Sequence, residues 1–407
     1  MKRHYGYGAS SASTFGLQRG FSAVVIFIFT LVAVQIVSAQ KVSVVHSFGS
    51  GMDGVTLYGG VITDNSGNIY GTTSIGGQFH FGTVFEITPS GQETILWNFT
   101  GGTDGEGPQS GLIRDAQGNL YGTTELGGKY GQGTVFEITG TTEKTLWSFG
   151  LGKDGNEPTC ALIRDGQGNL YGTTTGGGQF GFGVVFRVTP SGNETVLHSF
   201  AGPPTDGASP LAGLVTDGKG NGYGTTNSGG SGSSSLCQGC GTVFKLSSNG
   251  AYSVIYNFQG PDGAFPADSL IVDASGNLFG TTFEGGTSTD CSAGCGTVFE
   301  VFAAGGEKAL YSFKGLTIDG GFPYGGLVRD PKGNFYGTTY SGGEDAAGTV
   351  FEVTPAGTEH VIYSFGSTAG DGFLPHAGLT SDGKGGAYGT TQVGGQYGQG
   401  TVYNITP

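Results

Sequence analysis

Two pairs of closely spaced cysteines offer the most definite chemistry in this sequence. Cys237 and Cys240 lie in one glycine-rich insertion, and Cys291 and Cys295 lie in a corresponding one. These four thiols could form two disulfides within the loops, two between the loops, or a four-thiolate zinc site. Disulfides are the expectation for an exported chain. Cys160 has no evident partner, so we expect a buried free thiol.

Aspartates of a recurring Asp-Gly-x-x-Pro pattern are the candidates for metal binding. Asp53 begins a copy in which Leu57 replaces the proline. The other copies begin at Asp104, Asp154, Asp206, Asp262, Asp319 and Asp371. Calcium loops need several oxygen-bearing side chains in one short segment, whereas each copy offers one regular aspartate. We therefore expect these aspartates to initiate turns and expect no cofactor, with calcium as the alternative.

These residues belong to a repeat that organises the chain of 407 residues. Its core, Tyr/Phe-Gly-Thr-Thr, recurs at spacings of 50 to 57 residues. The seven copies begin at Tyr70, Tyr121, Tyr171, Tyr223, Phe279, Tyr336 and Tyr388. A fixed period over most of the chain favours one closed repeat domain, residues 40–407, over several unrelated domains.

Each period divides into four short segments rich in β-branched and aromatic residues. In the second copy they are residues 111–115, 119–124, 133–139 and 143–149, separated by turn residues. Four antiparallel strands repeated seven times predict an all-β fold, a seven-bladed β-propeller. The seventh copy ends after three strands, and residues 41–48 match the missing fourth strand. We therefore predict that the N-terminal strand pairs into the last blade and closes the ring.

Positions at which the copies differ in residue type are the candidates for binding or catalysis. By analogy with other propellers, the residues before the first strands should border the central channel: Tyr58, Gln109, Thr159, Leu211, Ala267, Tyr324 and His376. Acids in nearby loops are Glu106, Glu125, Glu157, Asp268, Glu284, Glu344 and Asp345. Tyrosines beside polar groups suit stacking on a sugar ring. The candidate ligand-binding residues are therefore Tyr58, Gln109, Tyr324 and His376.

Acids and a histidine among these positions also suit glycoside hydrolysis, provided that two carboxyl groups lie close together. The candidate catalytic residues are His376, Tyr324, Glu106 and Glu157. The alternative is that they are solvent-exposed loop residues of an acidic protein. Two further histidines, His46 and His198, occupy an aromatic position of the fourth strand, where we expect them to pack rather than to catalyse.

The first 39 residues have the character of a secretory signal peptide. Basic residues precede an apolar run at 21–37, and Val37-Ser38-Ala39 has the small-residue form that signal peptidase cleaves. An uncleaved anchor is the alternative, since this run is near the minimum length that spans a bilayer. No second apolar run exists, so no membrane span is expected after cleavage. The net charge of −14 argues against nucleic acid as a partner.

The repeat Gly-Leu-Ile-Arg-Asp-Ala-Gln-Gly-Asn-Leu-Tyr-Gly-Thr-Thr, followed by Gly-Gly and Gly-Thr-Val-Phe-Glu-Ile-Thr, closely resembles the GloVer (Gloeobacter/Verrucomicrobium) tandem repeat. The resemblance covers essentially all of residues 41–407. It implies an exported bacterial protein, either secreted or held in the periplasm or at the cell surface, and carries no established activity with it.

We expect a monomeric, non-catalytic binding or scaffold protein with an extracellular carbohydrate or protein ligand on the face that carries the longer loops. The alternative is a carbohydrate-active enzyme, a glycoside hydrolase or polysaccharide lyase, with its site at the channel mouth. Similar pockets around the ring would indicate binding, and one asymmetric cluster of acids or histidine would indicate catalysis. A purely structural role in an extracellular matrix is a third hypothesis.

Overall fold

The computed structural model describes residues 41–234, 237–315 and 319–406. They belong to one compact unit, Ala39–Pro407. The predicted signal peptide, residues 1–39, lies outside the described residues. Over the described ranges, no helix has the length and apolar character needed to cross a membrane.

Seven antiparallel sheets of four strands confirm the predicted all-β, seven-bladed propeller. The strands are Ile62–Thr63, Ile69–Thr73, Thr83–Ile87 and Glu93–Asn98 in blade 1; Ile113–Arg114, Leu120–Thr124, Thr134–Thr139 and Thr142–Ser148 in blade 2; Ile163–Arg164, Leu170–Thr174, Val184–Val188 and Glu194–Ser199 in blade 3; Val215–Thr216, Gly222–Thr226, Thr242–Leu246 and Tyr252–Asn257 in blade 4; Ile271–Val272, Leu278–Thr282, Thr297–Val301 and Glu307–Ser312 in blade 5; Val328–Arg329, Phe335–Thr339, Thr349–Val353 and Glu359–Ser364 in blade 6; and Thr380–Ser381, Ala387–Thr391, Thr401–Thr406 and Lys41–Ser47 in blade 7. Two-residue strands also pair in the loops, Gly207–Ala208 with Ser228–Gly229 and Gly372–Phe373 with Val393–Gly394.

The ring closes as the sequence predicts. The N-terminal strand Lys41–Ser47 pairs antiparallel with Thr401–Thr406, the last strand of the chain, so that Lys41 lies opposite Thr406 and Ser47 opposite Thr401. The N–H of Phe48 then donates to the Gly400 carbonyl at 3.0 Å. Closure satisfies the backbone groups that two free sheet edges would otherwise expose.

The Tyr-Gly-Thr-Thr core connects each blade to the next one. In blade 3, the Thr173 hydroxyl donates to the Ala212 carbonyl of blade 4 at 2.8 Å. The glycine of this core does not serve the contact with the next blade. A Cβ at Gly172 would lie 2.7 Å from the ring of Phe186, which belongs to the same blade. This glycine therefore makes room for an aromatic ring within its own sheet.

Aromatic pairs between blades form the core. The phenylalanine that follows each fourth strand is fully buried and contacts an aromatic ring in the third strand of the next blade. The ring centroids of Phe48 and Phe85 lie 5.0 Å apart, and those of Phe365 and Tyr403 also lie 5.0 Å apart. The buried apolar residues accordingly form separate clusters between adjacent blades. The central channel is lined instead by residues that precede the first strands.

Candidate functional site

A cavity of about 580 Å³ occupies the central channel. Its lining includes all seven positions that the sequence places before the first strands: Tyr58, Gln109, Thr159, Leu211, Ala267, Tyr324 and His376. Glu125, Glu157, Thr175 and Ser209 line it as well. These four residues lie in the longer loops, which share one face of the ring. The cavity therefore opens on that face.

A ring of residues with left-handed backbone conformation lies in the linkers that enter the blades, and two of them, Glu157 and Ser209, line the cavity. The residue directly before the proline of each Asp-Gly-x-x-Pro copy has a positive φ, as at Glu157 with φ 55° and Phe322 with φ 61°. This conformation is unusual for residues other than glycine and costs backbone energy. Main-chain hydrogen bonds enforce it: the Glu157 N–H donates to the Gln132 carbonyl at 3.0 Å, and the Glu157 carbonyl accepts from the Thr175 N–H at 3.1 Å. The sequence analysis did not predict this ring. The available signal was that these residues all directly precede the proline of the repeated pattern.

One side of the mouth is aromatic. The His376 ring lies 3.8 Å from that of Tyr324 and 5.1 Å from that of Tyr58, measured between centroids. Phe283 extends the cluster, with its centroid 5.5 Å from Tyr324 and 5.3 Å from Phe322. These side chains come from blades 1, 5, 6 and 7 and the linkers that enter them, so only ring closure brings them together.

His376 is neutral at neutral pH. Burial lowers its pKa to about 4, which outweighs the effect of its hydrogen bond with the Tyr58 backbone. Nδ1 lies 3.3 Å from the Tyr58 carbonyl oxygen and donates to it, which leaves Nε2 as the unprotonated nitrogen. Burial, with the nearby charge of Asp268, raises the pKa of Tyr324. Both side chains therefore contribute polar atoms without carrying a charge.

The other side of the mouth is polar and acidic. Gln109 Nε2 donates to Glu125 Oε2. Burial raises the pKa of Glu125, and the charge of Glu157 raises it further. The Thr175 hydroxyl lies 3.5 Å from Glu157 Oε2. This side of the mouth combines amide, hydroxyl and carboxyl groups from blades 2 and 3.

A third carboxyl group, that of Asp268, also lines the cavity. The backbone N–H of Gly326 donates to it at 2.6 Å and that of Ser269 at 2.5 Å. Burial nevertheless raises its pKa, because desolvation outweighs these hydrogen bonds. Among the described residues that line the cavity, none is lysine or arginine. The carboxyl groups of the channel therefore have no cation in the described lining to pair with.

The candidate site residues from the sequence are thus largely gathered in one place. Tyr58, Gln109, Glu157, Tyr324 and His376 share the cavity. Glu106 is not part of its lining, but its charge helps to raise the pKa of Glu125. The sequence analysis named Glu125 and Asp268 only as acids in nearby loops. Both line the cavity, so they are candidate site residues like the five named above.

The aspartates of the Asp-Gly-x-x-Pro copies are not brought together. Each lies at its own junction between blades, where its carboxylate accepts backbone N–H groups of the preceding loop. Asp104 accepts from Thr100 at 2.9 Å, and Asp371 accepts from Gly366 at 2.8 Å. The same holds for Asp154, Asp206, Asp262 and Asp319. These contacts support the turn interpretation.

The cysteines pair within their own loops. Cys237 is bonded to Cys240 and Cys291 to Cys295, with Cα atoms 5.3 Å apart in each pair. This is the first of the three arrangements that the spacing allowed. Cys160 is buried and unpaired, as expected.

A polar arrangement recurs at the junctions between blades. In this arrangement, the aromatic residue of one fourth strand lies near the aspartate of the linker that follows it. A glutamate from the fourth strand of the next blade lies near the same aspartate. Burial raises the pKa of Glu93, Glu143, Glu194, Glu307 and Glu359 to about 7, and the neighbouring aspartate adds to the effect.

The two histidines of this position do more than pack. His46 and His198 each contact the phenylalanine two residues later edge-on, as expected for aromatic side chains. In addition, His198 Nε2 lies 2.9 Å from Asp206 Oδ2, and its ring stacks on Tyr252 at 3.5 Å. His46 lies instead beside Glu93, with Nε2 3.6 Å from Glu93 Oε2. The expectation of simple packing residues was therefore incomplete.

Comparison with known proteins gives a family but no activity. The model of the Gloeobacter/Verrucomicrobia repeat matches residues 21–237 and 231–407. A search of curated proteins gave no match. The extracellular domain of a putative hybrid two-component system from B. thetaiotaomicron is similar in structure, with a TM-score of 0.56 and 11% identity over 89% of this chain and 39% of that chain.

A gluconolactonase from Xanthomonas campestris has a TM-score of 0.41 and 12% identity over 90% of this chain and 89% of its own. At such identities, structural similarity reports on the fold alone.

Proposed function

Since the chain belongs to the Gloeobacter/Verrucomicrobia repeat family, whose repeat spans it from residue 21 to residue 407, we propose that it is an exported, non-catalytic binding protein for a neutral carbohydrate. The ligand would sit at the mouth of the central channel. Two disulfides support export, because such bonds persist in oxidising compartments.

The observation that carries the proposal is the division of the mouth into two sides. Tyr58, Tyr324 and His376 offer ring faces and edges, and Gln109 with Glu125 offers hydrogen-bonding groups across the same cavity. A sugar presents C–H groups on its ring faces and hydroxyl groups at its edge, so it matches both sides. The cavity volume lies within the range of roughly 300–1,000 Å³ that is common for small-ligand sites.

The charge of the cavity limits the class of sugar. Glu125, Glu157 and Asp268 contribute carboxyl groups, and the described lining contains no lysine or arginine. An acidic sugar would lie beside these carboxyl groups without a cation to pair with it, which is costly in a site partly removed from water. Neutral oligosaccharides are therefore the favoured ligands, and uronic acid polymers are disfavoured.

Hydrolysis of the same sugar is the second candidate function, and the asymmetry of the site favours it. The site is a single cluster and not seven similar pockets. Glu125 has a raised pKa beside a second carboxyl group, Glu157, which is the electrostatic pattern of a general acid paired with a base or nucleophile.

A glycan screen with a turnover assay tests the proposal. The purified protein is incubated with neutral, acidic and amino oligosaccharides, and both binding and release of reducing or unsaturated ends are recorded. Tyr324→Ala should weaken binding about tenfold, since loss of aromatic stacking costs about 0.5–1.5 kcal/mol beyond buried area. Tyr397→Ala is the matched control, because Tyr397 is an exposed tyrosine that does not line the cavity.

The outcomes separate the candidates. Binding of neutral glycans without turnover supports the binding protein. Release of reducing ends that Glu125→Gln abolishes would replace it with a hydrolase. Preference for acidic glycans, or binding that Tyr324→Ala leaves intact, would contradict the channel-mouth site.

A further inference from the structure

We propose that His46, Asp53 and Glu93 form a binding site for one divalent transition-metal ion of the zinc type, at the junction where the propeller ring closes. One ligand atom from each residue lies within 4.8 Å of the other two. His46 belongs to the N-terminal strand that completes blade 7, Asp53 to the linker that follows, and Glu93 to the fourth strand of blade 1. The site is independent of the channel mouth.

Unpartnered buried atoms point to an ion in this place. Asp53 is only 7% exposed, and its Oδ1 has no hydrogen-bond partner. His46 Nε2 and Glu93 Oε1 are likewise buried without a partner. Unpartnered glutamate and aspartate oxygens also occur at the junction of Glu194 and Asp154. The junction at His46 adds an imidazole nitrogen to them, and an ion is one of the few groups that can satisfy all three acceptors at once.

The neighbouring contacts orient the ligands. Asp53 Oδ2 accepts the N–H groups of Gly49 and Ser50, each at 3.1 Å, and the Ser50 hydroxyl at 3.0 Å, while Oδ1 has no hydrogen-bond partner. The Gly91 backbone lies near the His46 ring. His46 Nε2 has no hydrogen-bond partner, so this nitrogen is available to a metal ion.

The ligand types select the metal. An imidazole with two carboxylates suits zinc, whereas calcium and magnesium prefer oxygen ligands alone. Zinc at about 2.0–2.1 Å from its ligands separates them by about 3.3 Å in a tetrahedron. His46 Nε2 and Glu93 Oε2, 3.6 Å apart, are close to that separation. The terminal torsions of carboxyl side chains are broad, so rotation of these groups can bring the Asp53 carboxylate within bonding distance of the metal. A water molecule would be the fourth ligand.

Other junctions show why this one differs. Where the aromatic position is tyrosine, its hydroxyl donates to the aspartate, as from Tyr311 to Asp319 at 2.5 Å and from Tyr363 to Asp371 at 2.8 Å. At the second histidine, His198, the position of the glutamate is taken by Tyr252, whose hydroxyl donates to Asp206 at 2.6 Å. Histidine, aspartate and glutamate meet only around His46 among the described residues.

The test uses protein purified without a histidine tag and freed of metal with a chelator. Zn²⁺ is titrated by calorimetry, bound metal is counted by mass spectrometry, and thermal unfolding is followed with and without Zn²⁺. We expect one Zn²⁺ per chain and a melting temperature that rises by about 3 °C when Zn²⁺ is about a hundredfold above its dissociation constant.

Two variants and a control complete the design. His46→Tyr restores the residue type of three other junctions, so it should fold, and it should lose Zn²⁺ binding; Glu93→Gln should weaken binding at least tenfold. Glu143→Gln changes the equivalent glutamate of a junction without histidine and should bind Zn²⁺ as the unmodified protein does. Absence of binding to the unmodified protein, binding that survives His46→Tyr, or retention of Ca²⁺ in preference to Zn²⁺ would each overturn the proposal.

Discussion

Replacing Glu194 with glutamine should stabilise the protein at alkaline pH and leave it unchanged in acid. Glu194 lies in the fourth strand of blade 3 and faces Asp154 of the preceding junction. Burial raises its pKa to about 7, and the charge of Asp154 adds to the effect. Glu194 Oε1 and Asp154 Oδ2 are both buried without a hydrogen-bond partner. A proton on Glu194 removes the repulsion between the two carboxylates.

The sign of this pH dependence follows from the number of protons that the folded and unfolded states bind. In the unfolded chain this glutamate loses its proton near pH 4.5, and in the folded protein near pH 7. Between these values the folded state binds more protons, so the contribution of Glu194 to stability is complete below pH 4.5 and is lost as the pH rises through 7. Glutamine has a similar shape and stays neutral at every pH, so it does not repel Asp154.

The magnitude follows from the shift. A change of about 2.5 pH units corresponds to at most about 3.4 kcal/mol, and solvent screening of this half-buried group reduces it to about 1–2 kcal/mol. Glu194→Gln should therefore raise the free energy of unfolding by about 1–2 kcal/mol at pH 8.5 and by close to nothing at pH 4.

Urea unfolding of both proteins at half-unit steps from pH 4 to pH 8.5 measures this difference. Glu344→Gln, at an exposed glutamate, is the control and should show no pH-dependent change. A constant difference at all pH values, or destabilisation of Glu194→Gln at pH 8.5, would refute the assignment of a buried, protonated glutamate.

Two further predictions concern the repeat core. Thr173→Val removes the hydroxyl that donates to the Ala212 carbonyl of the next blade and should lower the free energy of unfolding by about 1–3 kcal/mol, measured against Thr142→Val at an exposed threonine. Gly172→Ala places a methyl group 2.7 Å from the Phe186 ring and 2.9 Å from Leu162, so thermal unfolding should show a loss of about 1–3 kcal/mol from overpacking; an unchanged melting temperature would mean that this sheet can relax around the added carbon.

Much of the fold could be predicted from the sequence, because the patterns that indicate strands and turns lie within short segments of the chain. Alternation of β-branched and aromatic residues with turn residues marked the strands, and the period of the Tyr-Gly-Thr-Thr core counted the blades. The incomplete seventh copy and the extra strand at residues 41–48 predicted the pairing of Lys41–Ser47 with Thr401–Thr406. Analogy with other propellers placed Tyr58, Gln109, Tyr324 and His376 around the channel, where the structure has them.

The remaining features depend on contacts between segments far apart in the chain, and only the tertiary structure decided them. His46 and Glu93 meet because blade 7 and blade 1 become neighbours on closure, and nothing in their spacing indicates it. Tyr58 contacts His376 for the same reason. The sequence alone determined where the strands lie and how many blades form, because hydrophobic periodicity and turn chemistry act within a few residues. Which side chains share a cavity or a junction, and hence their protonation and chemistry, was decided by the closed ring, because desolvation and charge depend on distance in space.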